Sequence, residues 1–389
     1  MKVLLVSSNS SGVGGGERYL VYLAKGLCQL GHEVHGLVGA HDYMDSIAGC
    51  LSDAGAIVRR ERLVALRERS LRFVSACLDR SRHRKLAGIY REIGPEVVHV
   101  NQQYDEDGLD LVLAARRASI PVVGTIHLPM CRGKLQRPLG RTRTAWMKAW
   151  YHGVSYTKIL PSAETAQEFG NFYACQDTVF QVDNATFEGG MPDAPVAPRP
   201  PGWNGAAPVI GFVGRLEDQK DPLLLVRAWV LLRTAVPEAK LLLVGDGSLR
   251  AEIERVVSRE GLTRDLYITG WASDVRPWFK LMDVCALTSH FEGMPLSLIE
   301  AACDGLRIVA VLGPGVPGVL GHAGWAVPVP HRDAKQLADA IQRALASDPP
   351  APSQLDATRA YFSVTRMARD VVGVYETAID GFRGPSHAS

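Results

Sequence analysis

Cysteine is scarce and scattered, with seven residues at 28, 50, 77, 131, 175, 285 and 303 of 389. The nearest two are 18 positions apart and no Cys-x-x-Cys occurs. That spacing supports neither a zinc knuckle nor a disulfide framework, so a reducing compartment is expected. No apolar run reaches the ~18 residues that a membrane span needs. The opening Met-Lys-Val-Leu-Leu-Val-Ser reads as a short strand rather than a signal peptide. Charge of one sign is lacking too. Lys+Arg 43 against Asp+Glu 41 leaves +2, too balanced for a dedicated nucleic-acid binder. Internal repeats and long low-complexity segments are absent.

What is present is ordinary globular composition, 47% hydrophobic and 22% charged, which excludes wholesale disorder. At roughly 150 residues per domain, the length suggests two or three domains. Short β-branched runs alternate with helical patterns. Val3–Val6, Glu33–Leu37, Val97–Val100, Val122–Ile126 and Thr157–Leu160 are strand candidates in the first half. Val209–Val213, Lys240–Val244, Leu266–Ile268, Val284–Leu287 and Ile308–Val311 are those of the second. Near-continuous apolar strands separated by helices indicate parallel sheets covered on both faces. Leu20, Leu23, Leu27 and Leu30 mark a first helix that Gly31 ends. Val364 to Phe382 forms a last helix with Val371, Val374 and Ala378 on one face. Between the halves, Met191 to Pro208 holds six prolines, which fit neither helix interiors nor central strands. The plan is therefore two Rossmann-like doubly wound domains facing a cleft. Their expected limits are 1–195 and 209–360, joined by a linker 196–208, with 361–389 as a helix crossing back onto the first domain.

Three loops could carry chemistry. Ser11-Gly12-Val13-Gly14-Gly15-Gly16-Glu17 follows the first strand and opens a helix. It can be a phosphate cradle or a tight turn packing helix on strand. Its spacing is not GxGxxG and no Lys-Ser/Thr follows, which disfavours dinucleotide and Walker-type readings. Arg215 and Lys220, in Gly214-Arg215-Leu216-Glu217-Asp218-Gln219-Lys220-Asp221, follow a buried strand. Two cations at a strand's C-terminal edge are well placed for a diphosphate, although three acidic neighbours would also suit a solvated helix start. Ser289-His290-Phe291-Glu292-Gly293-Met294-Pro295-Leu296-Ser297-Leu298-Ile299-Glu300-Ala301 is the densest. Pro295 suits a first helical turn, which puts Glu292 in the loop and Glu300 more than a turn along the helix. Free amides between them can meet phosphate. Glu300 sits among apolar residues and needs a partner; a bound sugar hydroxyl would serve.

Together these residues resemble glycosyltransferase family 4, the retaining GT-B enzymes that use nucleotide-activated sugars. Glu292 and Glu300 match its E-x7-E motif. Gly14-Gly15-Gly16-Glu17, Leu23-Ala24-Lys25-Gly26-Leu27 and Gly31-His32-Glu33-Val34 are similar to its N-terminal signature. Gly214-Arg215 with Lys220, Val244-Gly245-Asp246-Gly247 and Asp304-Gly305 follow in family order. The resemblance implies that Arg215 and Lys220 hold the diphosphate, aided by amides of Gly15, Gly16 and the turn Gly293, Met294 to Leu296. It implies Glu300 on the nucleotide ribose and Glu292 against the donor sugar. His127 matches a histidine of the acceptor side, though a satisfied histidine at a strand end is the plainer reading. Catalytic roles are thus expected for Glu292, Arg215, Lys220 and His127. The donor is expected to be a UDP-sugar, because uridine donors are frequent in the family, and the acceptor a sugar, a lipid-linked or a small molecule. Neither cofactor nor metal is expected.

The sequence also departs from the family. Asn101 stands where Val-His-x-His members have a second histidine, and Ala185 replaces a glycine. Pro314 and Gly318 stand where Gly and Glu are common, which bears on sugar-specific contacts. Asp105-Glu106-Asp107 is literally an Asp-x-Asp, the oxygen-rich pattern hard cations prefer, but carboxylates at a helix start are commoner. Arg59 to Lys85 holds ten basic and three acidic residues, and Arg132 to Lys148 six basic and none acidic, beside Trp146 and Trp150. These are anionic-lipid contacts of a cytoplasmic protein peripheral to a membrane, or solvated helix faces. A sugar-nucleotide epimerase and a sensor without turnover are the alternatives to transfer.

Overall fold

A computed structural model describes residues 1–7, 14–63, 76–129, 140–187, 195–203, 205, 207–272 and 274–383. The chain forms two compact units, Met1–Ala185 with Ser363–Ser389, and Thr186–Phe362. The proline-rich 196–208 stretch falls inside the second unit.

The first unit alternates strand and helix: β1 Lys2–Ser7, α1 Gly15–Gln29, β2 Glu33–Gly39, α2 Asp45–Asp53, β3 Ile57–Glu61, α3 Arg80–Ile93, β4 Val97–Gln102, α4 Leu109–Ala118, β5 Val122–Ile126, α5 Gly140–Gly153, β6 Thr157–Leu160, α6 Ala163–Tyr173 and β7 Val179–Gln181. The strands form one sheet in the order β3-β2-β1-β4-β5-β6-β7, every pair parallel. Strands β1, β4 and β5 are buried along their whole length or nearly so, as helices on both faces require.

The second unit repeats the pattern: β8 Val209–Val213, α7 Pro222–Leu232, β9 Lys240–Val244, α8 Arg250–Arg259, β10 Leu266–Ile268, α9 Arg276–Phe279, β11 Val284–Leu287, α10 Leu296–Cys303, β12 Arg307–Val311, α11 Pro317–Leu320, β13 Val327–Val329, α12 Ala334–Ala346 and α13 Pro352–Tyr361. Its sheet order is β10-β9-β8-β11-β12-β13, again parallel throughout. Its core includes Trp229, Phe212 and Leu225, each 0% exposed. These are the two doubly wound Rossmann-like units that the strand pattern implied.

The last helix, α14 (Val364–Arg383), belongs to the first unit. Gly26 makes that docking close: a Cβ there would lie 2.4 Å from Val364 O and 2.8 Å from Ala368 Cβ. The predicted apolar face is real, with Val371, Val374 and Tyr375 buried. Among the described residues, no helix is long and apolar enough to cross a membrane.

In each sheet the order reverses beside the first strand, between β1 and β4 and between β8 and β11. Ligands of such sheets bind beyond the C-terminal strand ends at this switch point. The two loops singled out in the second unit follow β8 and β11, and the described part of the first loop, Gly14–Glu17, opens the helix after β1.

Candidate active site

In the second unit, the site starts where β8 ends and Gly214 turns away. Gly245, ending β9 with φ +147, lets the two turns meet, because a Cβ there would lie 2.0 Å from Gly214 O. A short 3-10 turn, Asp218–Lys220, follows. Asp221 then caps α7 in the left-handed region (φ 40), its carboxylate accepting from Leu224 N at 3.0 Å.

This turn is sewn to the loop after β11. Lys220 Nζ forms an ion pair with Glu292, their side chains 14% and 8% exposed. Ser289 Oγ donates to the same carboxylate oxygen, Oε1, at 2.5 Å. Gln219 Nε2 donates to Phe291 O at 2.9 Å, and His290 N donates to Gln219 O at 2.8 Å. Thr288 Oγ1 donates to Lys220 O at 2.9 Å. Arg215 is exposed, its Nη2 donating to Gln219 Oε1 at 3.1 Å. The structure thus brings Arg215, Lys220 and Glu292 together, although 72 positions separate the last two.

The Glu292–Gly293 turn is backed by a third loop. Glu292 N donates to Pro314 O at 3.1 Å, and a Cβ on Gly315 (φ +79) would lie 2.2 Å from Gly293 O. Gly318 leaves space beside Met294, whose Cε would be 3.3 Å from its Cβ. Helix α10 starts at Leu296 with Pro295 as its cap at ψ 111, one residue later than expected. A Pro-initial turn requires α-region angles, and Pro295 is extended. Its first amides nevertheless follow Gly293 and Met294 directly. Glu300 lies one turn farther on, 7% exposed.

Residues of this site that sequence reasoning missed are Arg332 and Gln219. Arg332, between β13 and α12, donates to Thr288 O and Ser289 O at 2.9 Å each and pairs with Asp221. It carries no local signal, being a loop arginine 40 positions from Glu292. Ser289 lay in the quoted motif, without an assigned role.

In the first unit, residues 8–13, which include Ser11-Gly12-Val13, lie outside the described ones. Helix α1 opens at Gly15, and Glu17 Oε2 accepts from Gly14 N at 2.8 Å. Gly16 O accepts from Asn101 Nδ2 at 3.1 Å, and Asn101 Oδ1 lies 2.6 Å from His127 Nε2. Because that amide oxygen can only accept, His127 carries its proton on Nε2. The asparagine that departs from Val-His-x-His therefore fixes the tautomer of His127 and ties it to α1. Gly16 keeps this approach close, since a Cβ would lie 2.7 Å from Gln103 Oε1 and 3.1 Å from His127 Cδ2 and would push those side chains aside. Burial pushes the His127 imidazole down to about 3, so it is neutral at working pH. His99 is also lowered to about 3, by burial and then by His127, and its Nδ1 meets Tyr375 OH at 2.8 Å.

The acidic trio sits in the turn before α4 rather than in the helix. Tyr173 OH donates to Asp105 Oδ2 at 2.5 Å, Arg143 Nε to Glu106 Oε1 at 2.7 Å, and Tyr104 N to Asp107 Oδ2 at 3.1 Å. These carboxylates hold neighbouring protein groups.

Of the two basic stretches, 64–75 and 130–139 lie outside the described residues. Elsewhere, Arg59 pairs with Glu61 and Glu92, Arg60 with Asp45, Arg82 with Asp110, and Lys85 with Glu61. Lys148 lies 4.6 Å above the Phe172 ring, and Trp146 stacks on Trp150 at 6.0 Å.

The model of Glycosyltransferase Family 4 matches residues 13–184, and that of Glycosyl transferases group 1 matches residues 207–347. The chain is a family 4-type glycosyltransferase. Among the relatives of this glycosyltransferase, the Escherichia coli UDP-Gal:alpha-D-GlcNAc-diphosphoundecaprenol alpha-1,3-galactosyltransferase is 35% identical over 104 residues, 26% of this chain and 27% of that one. The match therefore spans about a quarter of that relative. The 2-deoxystreptamine glucosyltransferase of Streptomyces kanamyceticus is 27% identical over 290 residues, 68% of this chain and 70% of its own. Anabaena HepE, solved with UDP and glucose, superposes with a TM-score of 0.71 at 18% identity, over 97% of this chain and 100% of that one. The fold is GT-B.

Proposed function

We propose that the chain moves a sugar, with retention of configuration, from a UDP-sugar to a hydroxyl of a polar acceptor. The observation that carries this reading is the Lys220–Glu292 ion pair, with Arg215 beside it, at the switch point of the second sheet. Arg215 and Lys220 neutralise the diphosphate as it departs, and the amides of Gly293, Met294 and Leu296 meet its remaining charge. Such fixed donors are commonly the largest contribution to this kind of rate enhancement. Lys220 joins the carboxylate to the phosphates, so Glu292 is held against the donor sugar. Glu300 takes the ribose. The acceptor hydroxyl attacks the face that the diphosphate leaves, and no side chain serves as a covalent nucleophile. His127, whose Nε2–H is committed to Asn101, is a neutral imidazole whose Nδ1 accepts from an acceptor hydroxyl and so orients it. No metal and no cofactor beyond the donor enters this reading.

UDP is supported by the HepE complexes with UDP and UDP-glucose and by the UDP-Gal in the Escherichia coli relative's name. For the acceptor, the relatives' names include a diphosphoundecaprenol lipid and an aminocyclitol. Arg59, Arg60, Arg82 and Lys85 pair with carboxylates, which withdraws four of the ten cations of that stretch from an anionic lipid and favours a soluble acceptor. Product analysis with isotope-labelled UDP-sugars and an acceptor panel tests the proposal. A labelled glycoside with the donor's anomeric configuration supports it. An epimerised donor, an inverted glycoside or untouched UDP-sugar with every acceptor overturns it.

A further inference from the structure

A cavity of about 430 Å3 opens in the first unit, far from the strand ends that carry His127. It lies at the N-terminal starts of β5, β6 and β7, and α14 closes one side. That volume suits a small ligand.

Its chemistry is one-sided. Arg116, in the last turn of α4, is the charged residue of the lining, and no acidic residue joins it among the described residues. The Arg116 guanidinium has no partner there, nor have the hydroxyls of Ser119, Ser155 and Thr157, which also line the cavity. Arg116, Ser119 and Ser155 are exposed and Thr157 is half-buried, so these donors face solvent and are open to a ligand. Phe180 and Phe382 add apolar wall.

A second cation stands just behind. Lys158 is 1% exposed, one of the largest fully buried side chains. Its Nζ donates to Thr178 Oγ1 at 2.8 Å, and Thr178 lines the cavity. The Tyr156 and Tyr151 rings lie 4.6 and 5.6 Å from the ammonium. No carboxylate pairs with it among the described residues. Burial lowers it to about 8, so it remains mostly charged at neutral pH. A buried cation without a counter-ion is unfavourable, and an anion in the cavity would relieve it.

We propose that this cavity is a second ligand site, distinct from the donor site, for a small phosphorylated polyol of the sugar-monophosphate class. Arg116 grips the phosphate in a charge-assisted contact. Ser119, Ser155 and Thr157 meet ring hydroxyls, and the two phenylalanines cover the apolar sugar face. The ligand spans α14 and three strand starts, so its binding ties the last helix to the sheet.

Glucose 6-phosphate is the probe, titrated calorimetrically into the full chain with saturating UDP present. Wild-type protein is expected to bind it at least tenfold more tightly than glucose. Arg116→Ala should weaken binding at least tenfold with an unchanged unfolding midpoint in the absence of ligand. Ser155→Trp, which fills the cavity from a loop, should abolish binding. Arg215→Ala should leave it unaltered. No heat with wild-type protein, wild-type affinity in Arg116→Ala or in Ser155→Trp, or loss of binding in Arg215→Ala would overturn the assignment.

Discussion

Lys220 and Glu292 meet across 72 positions of sequence, and Ser289 Oγ shares the same carboxylate oxygen. The cation is thereby fixed before any donor arrives. Preorganised charge of this kind needs no rearrangement during reaction.

Removing either cation of the pair that faces the diphosphate should be expensive. Arg215→Ala or Lys220→Ala is expected to lose about 3 kcal/mol of transition-state stabilisation, a hundredfold in kcat/KM, with the fold intact. Steady-state kinetics with the labelled donor checks this, and near-wild-type values in both variants would remove the residues from the site.

The two carboxylates should separate by kinetic signature. Glu300→Gln weakens a charge-assisted bond to ribose, so donor KM should rise. Glu292→Gln should lower kcat more than KM, because its partner Lys220 and the reacting sugar share its charge. The reverse pattern would mean that their roles are exchanged.

His99 and His127 make stability depend on pH. Both have folded-state values near 3, below the ordinary 6.5. Between those values the unfolded chain binds more protons, so stability is complete above about pH 6.5 and falls as pH drops towards 3. Each group contributes a slope of up to about 1.4 kcal/mol per pH unit in that window. Chemical denaturation of wild type and of His99→Gln between pH 4 and 7 should show a shallower dependence in the variant. Identical slopes would contradict the burial argument.

Gly26→Ala probes the docking of α14. The added methyl would meet Val364 O at 2.4 Å, so overpacking of about 1–3 kcal/mol is expected. A denaturant midpoint equal to wild type would show that α14 can move away without cost.

Most of this architecture was legible in the chain. The ten apolar runs all form strands; nine are interior strands of a parallel sheet, which must be apolar on both faces, and Leu266–Ile268 is an edge strand. The strands without that signal lie at or near sheet edges. Ile57–Glu61 carries Arg59, Arg60 and Glu61, while Val179–Gln181 and Val327–Val329 are three residues long. Edge strands are half solvated, so their sequences blend into loops. At the site, glycines and the paired glutamates announced themselves through spacing. Arg332 did not, since its part is to hold carbonyls of a distant loop. Asn101 looked like a lost histidine, and only its contacts to Gly16 and His127 reveal what it does.

The central claim is that Arg215 and Lys220 form a diphosphate clamp. Calorimetric titration of UDP and of uridine into wild-type protein and into the Arg215→Ala/Lys220→Ala double variant tests it without knowledge of the acceptor. Charge-assisted bonds of about 1.5–3 kcal/mol each predict that wild type prefers UDP over uridine at least a hundredfold, and that the preference collapses in the double variant. A preference that survives both substitutions would contradict the account.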